Sequence, residues 1–155
     1  MVRPGDPAPD FALETDTGET IRLSDLRGRS VVLFFYPKDD TSGCTEEVCG
    51  FRDHLDAFAE RGWTVLGVSP DGIASHRRFK DKYDLNFRLL ADPDHTVADA
   101  YGAWGTKRMY GREYEGILRS TFLIGADGRV ARVYEKVKPT DHAEEILADL
   151  DGGTA

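Results

Sequence analysis

The apolar run Val31 to Tyr36 shows no alternation, and that pattern predicts a strand buried on both faces. A polar loop follows it, and beyond Cys44 a long helix is predicted, amphipathic from Phe51 to Arg61 and ending near Arg61-Gly62. Phe11 to Leu13 and Thr20 to Leu23 flank the turn-rich Thr15-Asp16-Thr17-Gly18 and predict an N-terminal hairpin. Ser24 to Gly28 reads as one capped helical turn with a glycine stop. Trp63 to Ser69 and Phe87 to Leu90 predict further strands, separated by a helix with apolar spacing at Ile73, Phe79 and Tyr83. Thr96 is positioned to cap a short helix, Val97 to Tyr101. Gly102 to Gly116 is glycine-rich and aromatic, and is read as irregular. Arg119 to Ile124 and Arg129 to Val137 bracket Gly125-Ala126-Asp127-Gly128, a hairpin signal. Thr140 is expected to cap a last helix, Asp141 to Leu150, with Asp151 to Ala155 a frayed tail.

This order of elements describes an α/β fold, a mixed central sheet flanked by helices with an N-terminal β-hairpin. It is compatible with a thioredoxin-like sandwich, and several other α/β folds fit it equally well. The 155 residues show no internal repeat or linker, so one domain over 1–155 is expected.

Charge narrows the function. The net charge is −8 with no basic cluster, which argues against a nucleic-acid partner and against docking on anionic lipid. No apolar run approaches the ~20 residues that span a bilayer. Met1 to Asp10 lacks the apolar core of an export signal, so a cytoplasmic location is expected. In that compartment a pair of cysteines points to redox or catalytic chemistry more than to a structural disulfide.

Cys44 and Cys49 are five residues apart. Cys44 falls in the first turn of the predicted helix, at the end of the buried strand. Free N–H groups and the positive helix end favour a thiolate there. A free thiol has a pKa of about 8.5, and lowering it to about 6 requires roughly 3.4 kcal/mol of thiolate stabilisation. A helix terminus supplies at most about 2 kcal/mol. Glu47, one turn on, is expected to repel a thiolate, and Asp39 and Asp40 lie nearby in sequence. A cation from elsewhere in the chain is therefore required, and spacing does not say which arginine supplies it.

The run Phe35-Tyr36-Pro37-Lys38-Asp39-Asp40-Thr41-Ser42-Gly43-Cys44-Thr45 resembles the peroxidatic-cysteine loop of peroxiredoxins. With Cys49 and Phe51-Arg52-Asp53 it is similar to the subgroup called bacterioferritin comigratory protein or peroxiredoxin Q. Leu66-Gly67-Val68-Ser69, Leu89-Leu90-Ala91-Asp92-Pro93, Ala100 to Trp104 and Arg119 to Ile124 extend the similarity along the chain. The resemblance implies a thioredoxin-like fold and a thiol peroxidase that reduces hydrogen peroxide and organic hydroperoxides. It implies that Cys44 attacks peroxide and becomes a sulfenic acid, that Cys49 resolves it as an intramolecular disulfide, and that thioredoxin or a similar dithiol recycles the enzyme. Thr41 matches a hydroxyl that donates to and accepts from peroxide and thiolate. Pro37 matches a proline shielding the sulfur, and Arg119 the missing cation. The subgroup is often monomeric. Ser42 stands where proline is common, Gly125 where aspartate is common and His95 where glycine is common; none of the three removes a residue with a chemical role.

Plainer readings stand beside these. Two cysteines and His54 at irregular spacing make a poor zinc site, and no cofactor is expected. His76, His95 and His142 are read as solvated, and Arg119 outside its Arg-Ser-Thr-Phe context reads as a strand-edge charge. Trp104 and Tyr110 are read as core packing or loop cover in preference to a peroxide entrance. The alternative function is thiol–disulfide exchange or peroxide sensing; an exchanger usually carries Cys-x-x-Cys and a facing proline, and no proline occurs between Pro93 and Pro139.

Overall fold

The computed structural model describes residues 1–152, the side chain of Met109 apart. A seven-stranded sheet forms its middle. It contains β1 (Ala12–Thr15), β2 (Thr20–Arg22), β3 (Ser30–Phe35), β4 (Trp63–Ser69), β5 (Arg88–Ala91), β8 (Ser120–Ile124) and β9 (Val130–Tyr134), in the order β2-β1-β5-β4-β3-β8-β9. β3, β4 and β5 are mutually parallel, and the other pairs are antiparallel.

The parallel pairs need crossovers, and helices supply them. α1 (Ser42–Asp53) and α2 (Leu55–Glu60) connect β3 to β4, and α3 (Ile73–Tyr83) connects β4 to β5. The single long helix expected after Cys44 is thus two, broken at His54, whose φ of −110° and ψ of 10° depart from helical values. α4 (Thr96–Tyr101) and α5 (His142–Asp151) complete the layers.

β3 is buried on both faces because its side chains feed two cores. Val32 and Phe34, with Tyr36 beyond them, pack with Val48, Phe51, Phe79 and Ile146 under α1, α3 and α5. Val31, Leu33 and Phe35 pack with Val97, Tyr101, Phe122 and Ile124 on the other side. Phe34 lies across Gly67 of β4, where an added Cβ would come within 2.7 Å of its ring.

Three further sequence expectations need correction. Gly102 to Gly116 is largely a regular hairpin, β6 (Trp104–Met109) with β7 (Arg112–Ile117), turned by Tyr110 and Gly111 at positive φ. Glycines and aromatics hid its alternation. Neither Thr96 nor Thr140 caps a helix: the Asp92 carboxylate accepts from the N–H groups of Val97 and Ala98, and Thr140 donates to Glu46. In the expected tail, Asp151 closes α5 and is held in a fork by Arg61 at 2.7 and 2.8 Å; residues 153–155 lie outside the described residues. Among the described residues no helix is long and apolar enough to cross a membrane.

Candidate active site

Topology brings distant residues to one edge. β3 ends at Phe35, and Phe35 pairs with Ser120 at the start of antiparallel β8. Arg119, the residue before β8, therefore emerges beside the loop that leads from β3 into α1. Thr41 is the N-cap residue of α1, which places Cys44 third in the helix. Its backbone N–H is one of those without an intrahelical acceptor.

Arg119 spans the first turn of α1. Its Nη2 donates to Cys44 Sγ at 3.3 Å, and its Nη1 donates to Glu47 Oε1 at 2.6 Å. Cys44 and Glu47 are each only 1% exposed. Burial works against a charged guanidinium, but Glu47 and the sulfur outweigh it, so the pKa of Arg119 rises. Burial also pushes the Glu47 carboxyl up to about 7, with Arg119 opposing. Among the described residues, Glu47 Oε2 has no hydrogen-bond partner. The glutamate expected only to repel a thiolate is thus held by the same cation that contacts the sulfur.

Asp39 and Asp40 do not crowd the sulfur. Asp39 turns into the protein, where it accepts from Tyr36 Oη at 2.6 Å and Ser75 Oγ at 2.7 Å and meets His76 Nδ1 at 2.7 Å. The Asp39 N–H donates to Asp71. Burial and the Asp39 charge raise the Tyr36 phenol well above its ordinary range. Asp40, at φ 56°, is gripped by Lys82 and Tyr83, and these partners hold its carboxyl below the usual range. Two adjacent aspartates therefore lash the loop to α3.

Thr41 is exposed, and its hydroxyl donates to the Lys38 carbonyl at 2.9 Å, which leaves the oxygen free only to accept. Pro37 is half-buried at the mouth of the same loop. Gly43 lets Pro139 and Arg119 approach closely: an added Cβ would sit 3.3 Å from Pro139 Cγ and 3.5 Å from Arg119 Nη2. Cys49 is half-buried on α1, and both cysteines are free thiols. Burial raises the Cys49 pKa, with Arg52 opposing and Asp53 adding.

The histidines correct the sequence reading. His76 is completely buried, with Nε2 2.9 Å from the Leu90 carbonyl in addition to its Asp39 contact. His142 is buried on α5, its Nε2 2.8 Å from Thr121 Oγ1, and burial lowers its pKa against the pull of Glu145. Of the three read as solvated, only His95 is partly exposed, and it stacks on Trp104 at 3.7 Å. Tyr110 is 97% exposed at the hairpin tip and lines no entrance. Sequence reasoning also missed Lys107 of β6. Its pKa is lowered by burial and by repulsion from Arg119, with attraction from Cys44 opposing, which puts a second cation within electrostatic reach of the sulfur. Its signal was hidden in the segment read as irregular. Among the described residues, no group of three or more His, Cys, Asp and Glu side chains could hold a metal ion.

A buried cysteine at a helix start is thus contacted by an arginine that immediately precedes the neighbouring strand β8. The AhpC/TSA family model matches residues 4–133. The chain belongs to the AhpC/TSA family. Within that family it groups with the Bcp and peroxiredoxin Q proteins. It is 49% identical to peroxiredoxin Bcp of Bacillus subtilis over 146 residues, covering 94% of this chain and 93% of that one. It is 42% identical to peroxiredoxin Bcp of Escherichia coli K12, again over 146 residues and covering 94% of each chain. Among solved structures, the bacterioferritin comigratory protein of Xanthomonas campestris, studied for alkyl peroxide reduction, superposes with a TM-score of 0.89 at 35% identity. That match covers 100% of this chain and 98% of the other. The fold of this AhpC/TSA member is the thioredoxin-like one its sequence resemblance implied.

Proposed function

We propose that this peroxiredoxin reduces hydrogen peroxide and organic hydroperoxides at Cys44, resolves the product with Cys49, and is recycled by thioredoxin or a similar dithiol. The observation that carries the reading is the Arg119 guanidinium donating to Cys44 Sγ at the start of α1. A cation and a helix terminus together favour an anionic sulfur, the species that attacks. The alkyl peroxide reduction studied in the Xanthomonas campestris relative supports the substrate class.

In this scheme the Cys44 thiolate attacks one peroxide oxygen. The O–O bond breaks, the sulfur is oxidised to sulfenic acid, and the departing alkoxide or hydroxide takes up a proton. Arg119 is placed to donate to peroxide as well as to sulfur. The Thr41 oxygen, its own proton committed to Lys38, accepts from the peroxide hydroxyl. Pro37 keeps water from the loop mouth without offering a donor. The Cys49 thiol then condenses with the sulfenic acid, releasing water and forming the disulfide, which two electrons from the external dithiol reopen.

Resolution cannot occur within α1. Five residues of helix separate two Cα atoms by roughly 8.7 Å, whereas a disulfide needs about 4.4–6.8 Å. Unwinding of residues 44–50 therefore precedes the bond, and it also frees Cys49 from the burial that raises its pKa. Cys44→Ser abolishes peroxide loss, and Cys49→Ser reacts once and accumulates sulfenic acid. Sustained turnover by Cys44→Ser overturns the assignment. Consumption of a single equivalent by the wild type, even with thioredoxin supplied, makes it a sensor instead.

A further inference from the structure

Arg119 faces two acidic groups with one positive charge. Its Nη1 holds Glu47 Oε1 and its Nη2 holds Cys44 Sγ. The Glu47 side chain is 0% exposed, and among the described residues its second oxygen meets no donor. An ionised carboxylate with one oxygen unpaired in a dry site is costly, whereas a neutral acid loses much less on burial.

We propose that Glu47 and Cys44 share Arg119 as a single counter-cation, so that a proton on Glu47 releases the guanidinium to serve the Cys44 sulfur and an ionised Glu47 withdraws it. Glu47 is then a positioning residue that sets the pH range over which the sulfur is reactive. This rests on the reading of Cys44 as the attacking thiol.

The physical basis is mutual exclusion. Two negative charges one helical turn apart, behind a single guanidinium and away from water, repel more strongly than the same pair at a surface. The ionisation of one therefore raises the cost of ionising the other, and the two titrate as a coupled pair. The upward displacement of Glu47 to about 7 agrees with a carboxyl that changes state near neutrality. Other charges bear on the pair through Arg119. Lys107 of β6 and His142 of α5 both couple to it. His142 is biased toward its neutral form by burial, and Lys107 adds positive charge on the Cys44 side. Neither is hydrogen-bonded or ion-paired to Glu47, whose bonded cation is Arg119. Glu46, the adjacent acid on α1, is exposed and occupied by Thr140.

Coupling of this kind is reciprocal, and that permits two independent measurements. In the first, thiolate ultraviolet absorbance of the reduced protein is titrated in the wild type and in Glu47→Gln, which keeps a carbonyl to accept from Arg119 but removes the competing charge. The Cys44 midpoint moves down by about one pH unit, a roughly tenfold gain in thiolate at a fixed pH below it. In the second, the isotope-labelled Glu47 carboxyl is followed by NMR in the wild type and in Cys44→Ser, and its midpoint also falls. An unmoved Cys44 midpoint in folded Glu47→Gln overturns the proposal. So does a Glu47 titration that ignores removal of the sulfur, which decides the matter even if Glu47→Gln does not fold. Both readouts report ionisation and not turnover, so a failure of the peroxidase reading leaves them intact and shows separately, as turnover by Cys44→Ser.

Discussion

Arg119 reaches Cys44 across 75 positions of sequence and donates to its sulfur at 3.3 Å. The contact follows from strand pairing. β8 runs antiparallel to β3, so its first residues lie at the end of β3 from which the Cys44 loop departs. The helix terminus alone falls short of the stabilisation a reactive thiolate needs, by more than ~1 kcal/mol, and this guanidinium is placed to make up the difference. Arg119→Ala is expected to diminish the thiolate absorbance at neutral pH and slow sulfenic acid formation at least tenfold. Stopped-flow mixing with hydrogen peroxide checks it; an unchanged rate would transfer the role to Lys107, the other cation coupled to the sulfur.

The geometry of α1 gives a second expectation. Oxidation to the Cys44–Cys49 disulfide raises amide hydrogen exchange over residues 44–50, while β3, buried between two cores, stays protected. Equal protection in both states, with the disulfide verified by mass spectrometry, contradicts unwinding. If unwinding is slow, excess peroxide converts Cys44 to sulfinic acid before Cys49 arrives.

Glu47 makes stability depend on pH in a direction opposite to that of a salt-bridged surface carboxylate. Its folded value is about 7 against an ordinary 4.5, so between these values the folded chain binds a proton that the unfolded chain releases. Stability from this group is complete below about pH 4.5 and is lost as pH rises through about 7. The difference is of the order of 3 kcal/mol. Thermal midpoints of Glu47→Gln and wild type therefore diverge across this window in favour of the variant. Parallel curves would show that Glu47 titrates normally.

The loop that carries the site depends on a buried polar cluster. His76 bridges the Asp39 carboxylate and the Leu90 carbonyl through its two ring nitrogens. His76→Ala removes one hydrogen-bond partner of the buried Asp39 carboxylate, which costs about 1–3 kcal/mol. Denaturant unfolding measures it, and a loss below about 1 kcal/mol would mean that Tyr36 and Ser75 satisfy Asp39 by themselves.

Gly43→Ala tests how closely the site is assembled. Its new methyl group lies 3.3 Å from Pro139 Cγ, a tight contact, and 3.5 Å from Arg119 Nη2, an ordinary one, so the crowding is relieved either by Pro139 shifting or by the backbone moving against Arg119. Displacement of the guanidinium slows peroxide reduction roughly tenfold, with stability little changed. A rate equal to wild type would indicate that Pro139 moves instead.

By itself the sequence determined where a reactive cysteine could stand. An unbroken apolar run makes a central strand, a turn follows, and a helix begins just before Cys44, because these signals are local and depend on neighbours a few positions apart. The N-terminal hairpin, the parallel core strands and the last hairpin were legible for the same reason. The tertiary structure decided what surrounds the sulfur. Nothing local marks Arg119 as the cation, since its position depends on β3 pairing with β8. Charge counting set Glu47, Asp39 and Asp40 against the thiolate, but packing gave Glu47 a share of Arg119 and turned both aspartates onto α3. The burial of His76 and His142 is invisible in the sequence because a single histidine carries no periodic signal of burial, and each is a buried hydrogen-bonding centre only because α3 and α5 close over the sheet.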